Sequence, residues 1–242
     1  MIDELLLITG NDILFPQANI VIHQPHLKEI GMLGELNFLT GVQFLLFDKN
    51  KLLAKDKNGL EAQSNFDIFM SVMNSRDKAK HKTDALMVLA LLFPEAKIKI
   101  EKDKILLQLE NFNASINKEN FLDFQKIIAQ MFCLEENDED SFNPDDALAQ
   151  RIAEKIREGQ KKRAESKGKD TEKVTIYSKY ISILSVGLHK SMIDLSNYTV
   201  YQIRDELKRF QLKQDFDMYI QAKLAGAQDL EEVENWMEEI HP

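Results

Sequence analysis

The stretch that decides the fold of this chain is Thr199–Phe210, with the sequence TVYQIRDELKRF. Thr199 and Gln202 have the spacing of a capping box, in which the first side chain and one three residues later satisfy each other's backbone N–H groups. Apolar residues then recur at helical intervals, namely Val200, Ile203, Leu207 and Phe210. The sequence therefore predicts a helix that begins at Thr199 and buries one face.

Helix signals continue on both sides of this stretch. The preceding helix is predicted to end between Gly187 and Ser191, and its apolar face carries Tyr177, Tyr180, Ile181, Leu184 and Leu188. A separate following helix is predicted to stop at Gly226 and to carry Phe216, Tyr219, Ile220 and Leu224. A last helix, capped by Asp229 and Glu232, is predicted to turn inward Leu230, Val233, Met237 and Ile240. Residues 173–242 are therefore predicted to form a C-terminal helical domain.

The first 134 residues mix strand and helix signals. Period-two alternation on both sides of the polar turn Lys102–Lys104 predicts a β-hairpin, with Ile98, Ile100, Ile105, Leu107 and Leu109 facing one core. A helix from Asn117 to Met131 is predicted to cover that hairpin. Residues 1–134 are therefore predicted to form a small α+β domain.

Two further helices and a strand belong to the same predicted domain. The run Ala85–Phe93 is apolar on every side and is followed by Pro94, which predicts a central buried helix. The β-branched run Asn19–Ile22 predicts a short strand. A helix is also predicted through Leu27–Leu46, but glycine weakens a helix interior, so breaks or close packing are expected at Gly31, Gly34 and Gly41.

Residues 135–172 differ sharply in composition from the regions on either side. An acidic cluster, Glu135 to Asp140, is followed by a highly charged helical pattern with a thin apolar stripe at Leu148, Ile152 and Ile156. This pattern predicts a charged connector that is partly helical. The whole chain is thus predicted to be α+β and mainly helical, with an N-terminal α+β domain and a C-terminal helical bundle.

Composition limits the classes of function. The hydrophobic share of 44% supports a folded core, and the net charge of −9 disfavours nucleic acid and anionic lipid as general partners. Cys133 is the single cysteine, which fits a reducing compartment. The start of the chain lacks the pattern of a signal peptide, and its longest apolar run is too short to span a bilayer. We expect a cytoplasmic protein that does not enter a membrane.

The sequence contains no pattern that predicts a catalytic, cofactor-binding or metal site. His23 and His26 flank Pro25, but the sequence fixes no carboxylate beside them, so they are interpreted as ordinary loop or helix-start histidines. The acidic cluster lacks the residue order of a calcium loop. Glycine-rich phosphate loops, nucleophile elbows and Cys-x-x-Cys pairs are absent from the sequence. We therefore expect a protein that is not an enzyme.

One basic tract offers an alternative function. Within residues 161–169 stand Lys161, Lys162, Arg163, Lys167 and Lys169, which could contact phosphates in a salt-dependent way. Aromatic residues that would stack on single-stranded bases are not interleaved with them. A nucleic-acid-associated adaptor that uses this tract is the alternative to a protein-binding module.

Several short patches of the chain carry a family likeness. The C-terminal patches are Thr199–Ile203 with Glu206, Arg209 and Phe210, then Asp217, Ile220, Lys223–Ala227 and Val233–Met237. They resemble small proteins from the tail-gene clusters of tailed bacteriophages, and the stretch Ile20–Pro25, with Lys28–Ile30, is similar in style to the same group. The proteins of this group look like tail-assembly or baseplate-assembly proteins.

The resemblance implies a noncatalytic factor, either an assembly chaperone or a small tail or baseplate component. Its implied partners are tail proteins such as tape-measure, tube or baseplate subunits, or a second copy of itself. It would be made in the host cytoplasm and could be retained in the virion tail, and it would need no cofactor. Aromatic residues on the helices are the candidate partner contacts or supports of the contact surface, namely Tyr201, Phe210, Tyr219 and Trp236. Aromatic residues at helical spacing in a small bundle are mostly core, so burial of these side chains is the alternative.

Overall fold

The computed structural model describes residues 2–47, 64–75, 80–134, 176–227, 233 and 235–237. The chain divides into two compact units, of which the first joins Met1–Cys133 to Thr175–Pro242. The second unit, Leu134–Val174, lies almost wholly outside the described residues, and with it the predicted connector and its basic tract. The described helices and strands belong to the first unit.

This unit is mainly helical and contains two small antiparallel sheets. The strands are β1 (Ile13–Phe15), β2 (Ile20–Ile22), β3 (Lys97–Ile100), β4 (Lys104–Gln108) and β5 (Asn113–Asn117). The α-helices are α1 (Glu4–Thr9), α2 (Leu27–Leu33), α3 (Glu35–Leu45), α4 (Asn65–Asn74), α5 (Lys80–Leu92), α6 (Phe121–Met131), α7 (Ile176–Leu188), α8 (Met192–Ser196) and α9 (Val200–Leu224). The predicted α+β, mainly helical class is confirmed.

The predicted hairpin is present as β3 and β4, and β5 extends it to the order β3-β4-β5. Ile105 and Leu107 are fully buried, as the alternation requires. The covering helix starts later than predicted, at Phe121, because Asn117 is the last residue of β5. The side-chain oxygen of Asn117 accepts hydrogen bonds from the backbone of Glu119 and Asn120, at 2.9 and 3.3 Å, and this local turn replaces a helical start.

The predicted break in the Leu27–Leu46 helix occurs at Gly34, which separates α2 from α3. Gly34 has a φ of 91°, a value that glycine adopts without steric cost. Gly41 instead permits close packing of α3 on α5, because a Cβ there would lie 2.5 Å from the carbonyl oxygen of Asp84 and 2.6 Å from a methyl carbon of Val88. The predicted central helix therefore packs against α3 through a residue without a side chain.

One hydrophobic core includes residues from both ends of the chain. Phe38 of α3 packs edge-on against Phe132, with ring centroids 5.1 Å apart, and lies 6.3 Å from the ring of Tyr177 in α7. Leu184 and Ile203 belong to the same cluster of buried side chains. The N-terminal region and the C-terminal helices thus bury their apolar faces against each other.

The C-terminal helices differ from the prediction in one respect. The capping box at Thr199 is present, but the helix it opens continues without a break for 25 residues to Leu224. The expectation of two helices was wrong because the connecting residues, Gln211 to Asp215, include neither proline nor glycine and are compatible with a helix. Most of the predicted last helix lies outside the described residues. Met237, predicted to face inward, is 68% exposed.

The close approach at Gly41 generates a stability prediction with a matched control. Gly41→Ala should lower the free energy of unfolding by about 1–3 kcal/mol, because the added methyl group meets backbone that cannot move aside. Gly31→Ala, in α2, should raise it by about 0.5–1 kcal/mol, since nothing lies within 4 Å of the new Cβ. Urea unfolding followed by circular dichroism measures both. Equal effects of the two substitutions would contradict the assigned packing of α3 on α5.

Candidate functional site

Tyr201, a predicted partner contact, belongs to the core. Its side chain is only 6% exposed, and its hydroxyl donates a hydrogen bond to Glu4 Oε1 of α1 at 3.2 Å. Burial and the nearby Glu4 carboxylate raise the pKa of Tyr201 well above its usual range. Tyr201 therefore holds α9 to α1.

Phe210 is half-buried and packs against α7. Its ring lies directly on Gly187 and occupies the space that a Cβ would need. Farther along the same helix, Tyr219 is also half-buried, and Lys223 Nζ lies 4.5 Å from the centre of its ring. Trp236 lies in a turn near the end of the chain and is half-buried. Of the four predicted contacts, Tyr201 is thus buried and the other three are half-buried.

The exposed part of α9 lies beyond Leu212. Within this fully described helix, Leu212 is the last buried residue. Four apolar or aromatic side chains then follow at helical intervals on one side of α9. We call these residues the distal face; they are Phe216, Tyr219, Ile220 and Leu224. Ile220 is 39% exposed and Leu224 84% exposed. Apolar side chains at this spacing on an exposed helix are typical of a surface that packs against another helix.

Charged pairs hold the helix around this face. Near its start, Lys190 Nζ donates to Glu206 Oε1 at 2.7 Å and to the hydroxyl of Tyr198 at 3.0 Å. Next to the distal face, Lys213 Nζ lies 2.6 Å from Asp217 Oδ2. The first of these contacts holds the start of α9, while on the distal face itself the Lys223 ammonium lies over the ring of Tyr219.

A second group of interest lies between β2 and α2. The ligand-type atoms of His23, His26 and Glu29 all lie within 4.8 Å of one another, so these residues could hold a metal ion. Burial raises the pKa of Glu29, but hydrogen bonds from the His26 backbone and from both histidine rings outweigh it and hold the pKa below its usual value. His23 also contacts Asp12, through Nδ1 at 2.8 Å from Oδ1.

The sequence did contain a signal for Glu29. It stands three residues after His26, which is the spacing of a capping box, and its carboxylate accepts a hydrogen bond from the His26 backbone N–H at 2.7 Å. Histidine is not among the usual N-cap residues, so the spacing alone does not indicate a cap. Glu29 therefore supplies the carboxylate beside His23 and His26 that the sequence alone did not identify.

A cleft of about 560 Å³ borders this cluster. Its polar lining residues are Asp12, Asn19, His23 and Glu95, and the rest of the lining is apolar, including Leu14, Val21, Phe93 and Phe112. The cleft gives solvent and small molecules a route toward His23.

Comparison with known proteins relates the C-terminal region to bacteriophage. Residues 168–241 match the family model described as YomV second domain, a phage-associated family. The match covers well under half of the chain, and it includes α7, α8 and α9. Neither curated proteins nor solved structures yield a match. A phage-associated domain is thus supported at this coarse level.

Among the described helices, none has both the length and the apolar character needed to cross a membrane.

The position of Tyr201 predicts that this residue contributes to stability and not to binding. Tyr201→Phe should lower the free energy of unfolding by about 0.5–1.5 kcal/mol, because one buried hydrogen bond is lost. Tyr201→Ala should cost about 3–5 kcal/mol, since it also leaves a cavity. Thermal and urea unfolding measure both values. A Tyr201→Ala variant with unchanged stability would show that the ring does not belong to the core.

Proposed function

We propose that the chain is a noncatalytic phage tail-assembly protein that binds an apolar helical segment of another tail protein through the distal face. The observation that carries this proposal is the row Phe216, Tyr219, Ile220 and Leu224 on a helix whose first turns lie in the core. Ile220 and Leu224 of this row are exposed, and its two aromatic residues are half-buried. The match of residues 168–241 to a phage-associated family supports a viral setting. The tail-gene resemblance supports the choice of partner.

The chemistry of the distal face favours a helix as the bound element. Its residues repeat at intervals of three and four, so they form one stripe that fits the apolar stripe of a second helix. Fully burying one leucine or isoleucine side chain contributes about 1.5–3 kcal/mol. Ile220 and Leu224 are therefore the expected anchors of the contact.

The chain's charge is compatible with a chaperone-like role. The tail-gene resemblance implies partners, such as tape-measure, tube or baseplate proteins, whose apolar surfaces must be kept from associating early. A partner with a net charge of −9 would keep such a surface soluble while covering it. Binding at the distal face would be reversible when the tail subunits offer a larger interface.

Charge substitutions on opposite sides of α9 test this proposal. Ile220→Glu and Leu224→Glu should each weaken binding to a purified tail partner by at least about tenfold, because a carboxylate replaces a buried anchor. Met218→Glu is the matched control, since Met218 is 58% exposed and lies about 160° away from Ile220 around the same helix. Calorimetry with purified tape-measure, tube and baseplate proteins of the same gene cluster provides the measurement.

The control also defines the contrary results. Equal loss in Met218→Glu and Ile220→Glu would show that the distal face is not the contact. Concentration-dependent dimers that Leu224→Glu abolishes, without binding to any tail protein, would assign the face to self-association. Circular dichroism should show that all three variants keep the wild-type helix content.

Mature particles distinguish the two forms of the proposed role. A chaperone should be absent from purified virions, whereas a tail or baseplate component should be present in fixed copy number. Mass spectrometry of purified tails decides between them.

A further inference from the structure

We propose that His23, His26 and Glu29 bind a divalent transition-metal ion, with Asp12 orienting the His23 ring. Two imidazoles and a carboxylate are a donor set that suits zinc and related ions, whereas calcium and magnesium prefer oxygen ligands alone. The ligand atoms are His23 Nε2, His26 Nδ1 and a Glu29 carboxylate oxygen. This site is separate from the distal face of α9 and does not depend on the proposed function.

The spacing of the donor atoms fits a tetrahedral ion. Zinc lies about 2.0–2.1 Å from nitrogen and oxygen ligands, so neighbouring ligand atoms in a tetrahedron are about 3.4 Å apart. Glu29 Oε2 lies 3.3 Å from His23 Nε2 and 3.0 Å from His26 Nδ1. One ligand-type atom of each of the three residues lies within 4.8 Å of those of the other two. Small rotations of the side chains would therefore complete three of the four ligand positions.

The surroundings of His23 provide an independent reason for a cation. Its two ring nitrogens face two carboxylates, Asp12 at 2.8 Å and Glu29 at 3.3 Å. A neutral imidazole can donate to one of them only, so the other nitrogen and oxygen would meet as two acceptors. A proton could bridge that pair, but a metal ion satisfies His23, His26 and Glu29 together.

Asp12 has the position expected of a residue that supports a metal ligand. Histidine ligands almost always give their second ring N–H to a carboxylate, a carbonyl or water, which fixes the tautomer and the ring orientation. Asp12 accepts from Nδ1 and thereby leaves Nε2 for the ion. The backbone N–H of His26 similarly hydrogen-bonds the Glu29 carboxylate, as ligating carboxylates require.

The backbone around the cluster is held on several sides. The N–H of His23 donates to the Leu92 carbonyl at the end of α5, at 2.9 Å, and the N–H of Leu27 donates to Tyr198, also at 2.9 Å. The side chains of His23, His26 and Glu29 keep between 21% and 33% of their surface exposed. An ion can thus reach a preformed site, and water can occupy its fourth position.

Zinc titration of the metal-free full-length chain tests the proposal. Calorimetry after EDTA treatment and dialysis should show one zinc ion per chain. Glu29→Gln should weaken that binding by at least about tenfold, because glutamine lacks the anionic ligand yet can still accept the capping hydrogen bond from His26. His26→Ala should weaken it at least as much. Asp12→Asn should weaken it about 10–100-fold, the range for residues that support a ligand.

His81→Ala is the matched control, since His81 is an exposed histidine on α5 away from the cluster. It should leave the zinc affinity unchanged. Cobalt substituted for zinc should give visible absorption bands typical of four-coordination in the wild type and in His81→Ala, but not in Glu29→Gln. Zinc should also raise the melting temperature of the wild type and not of Glu29→Gln.

Three results would overturn the proposal. The first is a zinc affinity that Glu29→Gln and His26→Ala leave unchanged. The second is an equal loss in His81→Ala, which would indicate scattered surface binding. The third is an absence of zinc binding by the folded wild type, which would leave the cluster as a hydrogen-bonded set. If Glu29→Gln fails to fold, Asp12→Asn, which lies outside any helix, carries the same test.

Discussion

The architecture depends on hydrogen bonds made by one short segment, His23–Lys28. The amide of Gln24, which is buried, donates to the carbonyl oxygens of Leu6 and Asn11, at 3.0 and 2.5 Å. In the same segment, the backbone N–H of His23 donates to the Leu92 carbonyl at the end of α5. The N–H of Leu27 donates to the carbonyl of Tyr198, the residue before the N-cap of α9. Buried donors require hydrogen-bond partners, so moving the segment away from any of these neighbours would leave donors without an acceptor. It therefore joins the two ends of the chain into one unit.

This constraint explains how α9 can offer an exposed face. His26 forms an antiparallel bridge with Thr199, the residue that caps α9. The first turns then bury Val200, Tyr201 and Ile203, while the helix extends about 37 Å in total. A helix held at its base presents the distal face with little loss of conformational freedom on binding, and preorganisation of this kind favours affinity.

Much of the fold could be predicted from local sequence signals. Features that depend on contacts between residues distant in sequence could not. The capping box at Thr199 and the alternation in β3 and β4 are predictable because each depends on neighbours in sequence. The continuity of α9 was missed because apolar spacing was interpreted as two stripes, although nothing in between stops a helix. β5 is short and polar, so only its pairing with β4 identifies it. The sequence likewise leaves Tyr201 open as a core or a contact residue, and only its packing on α1 shows that it belongs to the core.

Both candidate sites are connected to the start of α9, and they can still be tested separately. His26 contributes to the histidine cluster and also pairs with Thr199, so a bound cation would stiffen the start of α9. The distal face begins at Phe216, seventeen residues or about 25 Å along the helix from Thr199. Substitutions farther apart than about 10 Å with no shared partner contribute additively. A change at Glu29 should therefore act on stability and metal affinity, while a change at Leu224 acts on partner binding, and each result can be interpreted without the other.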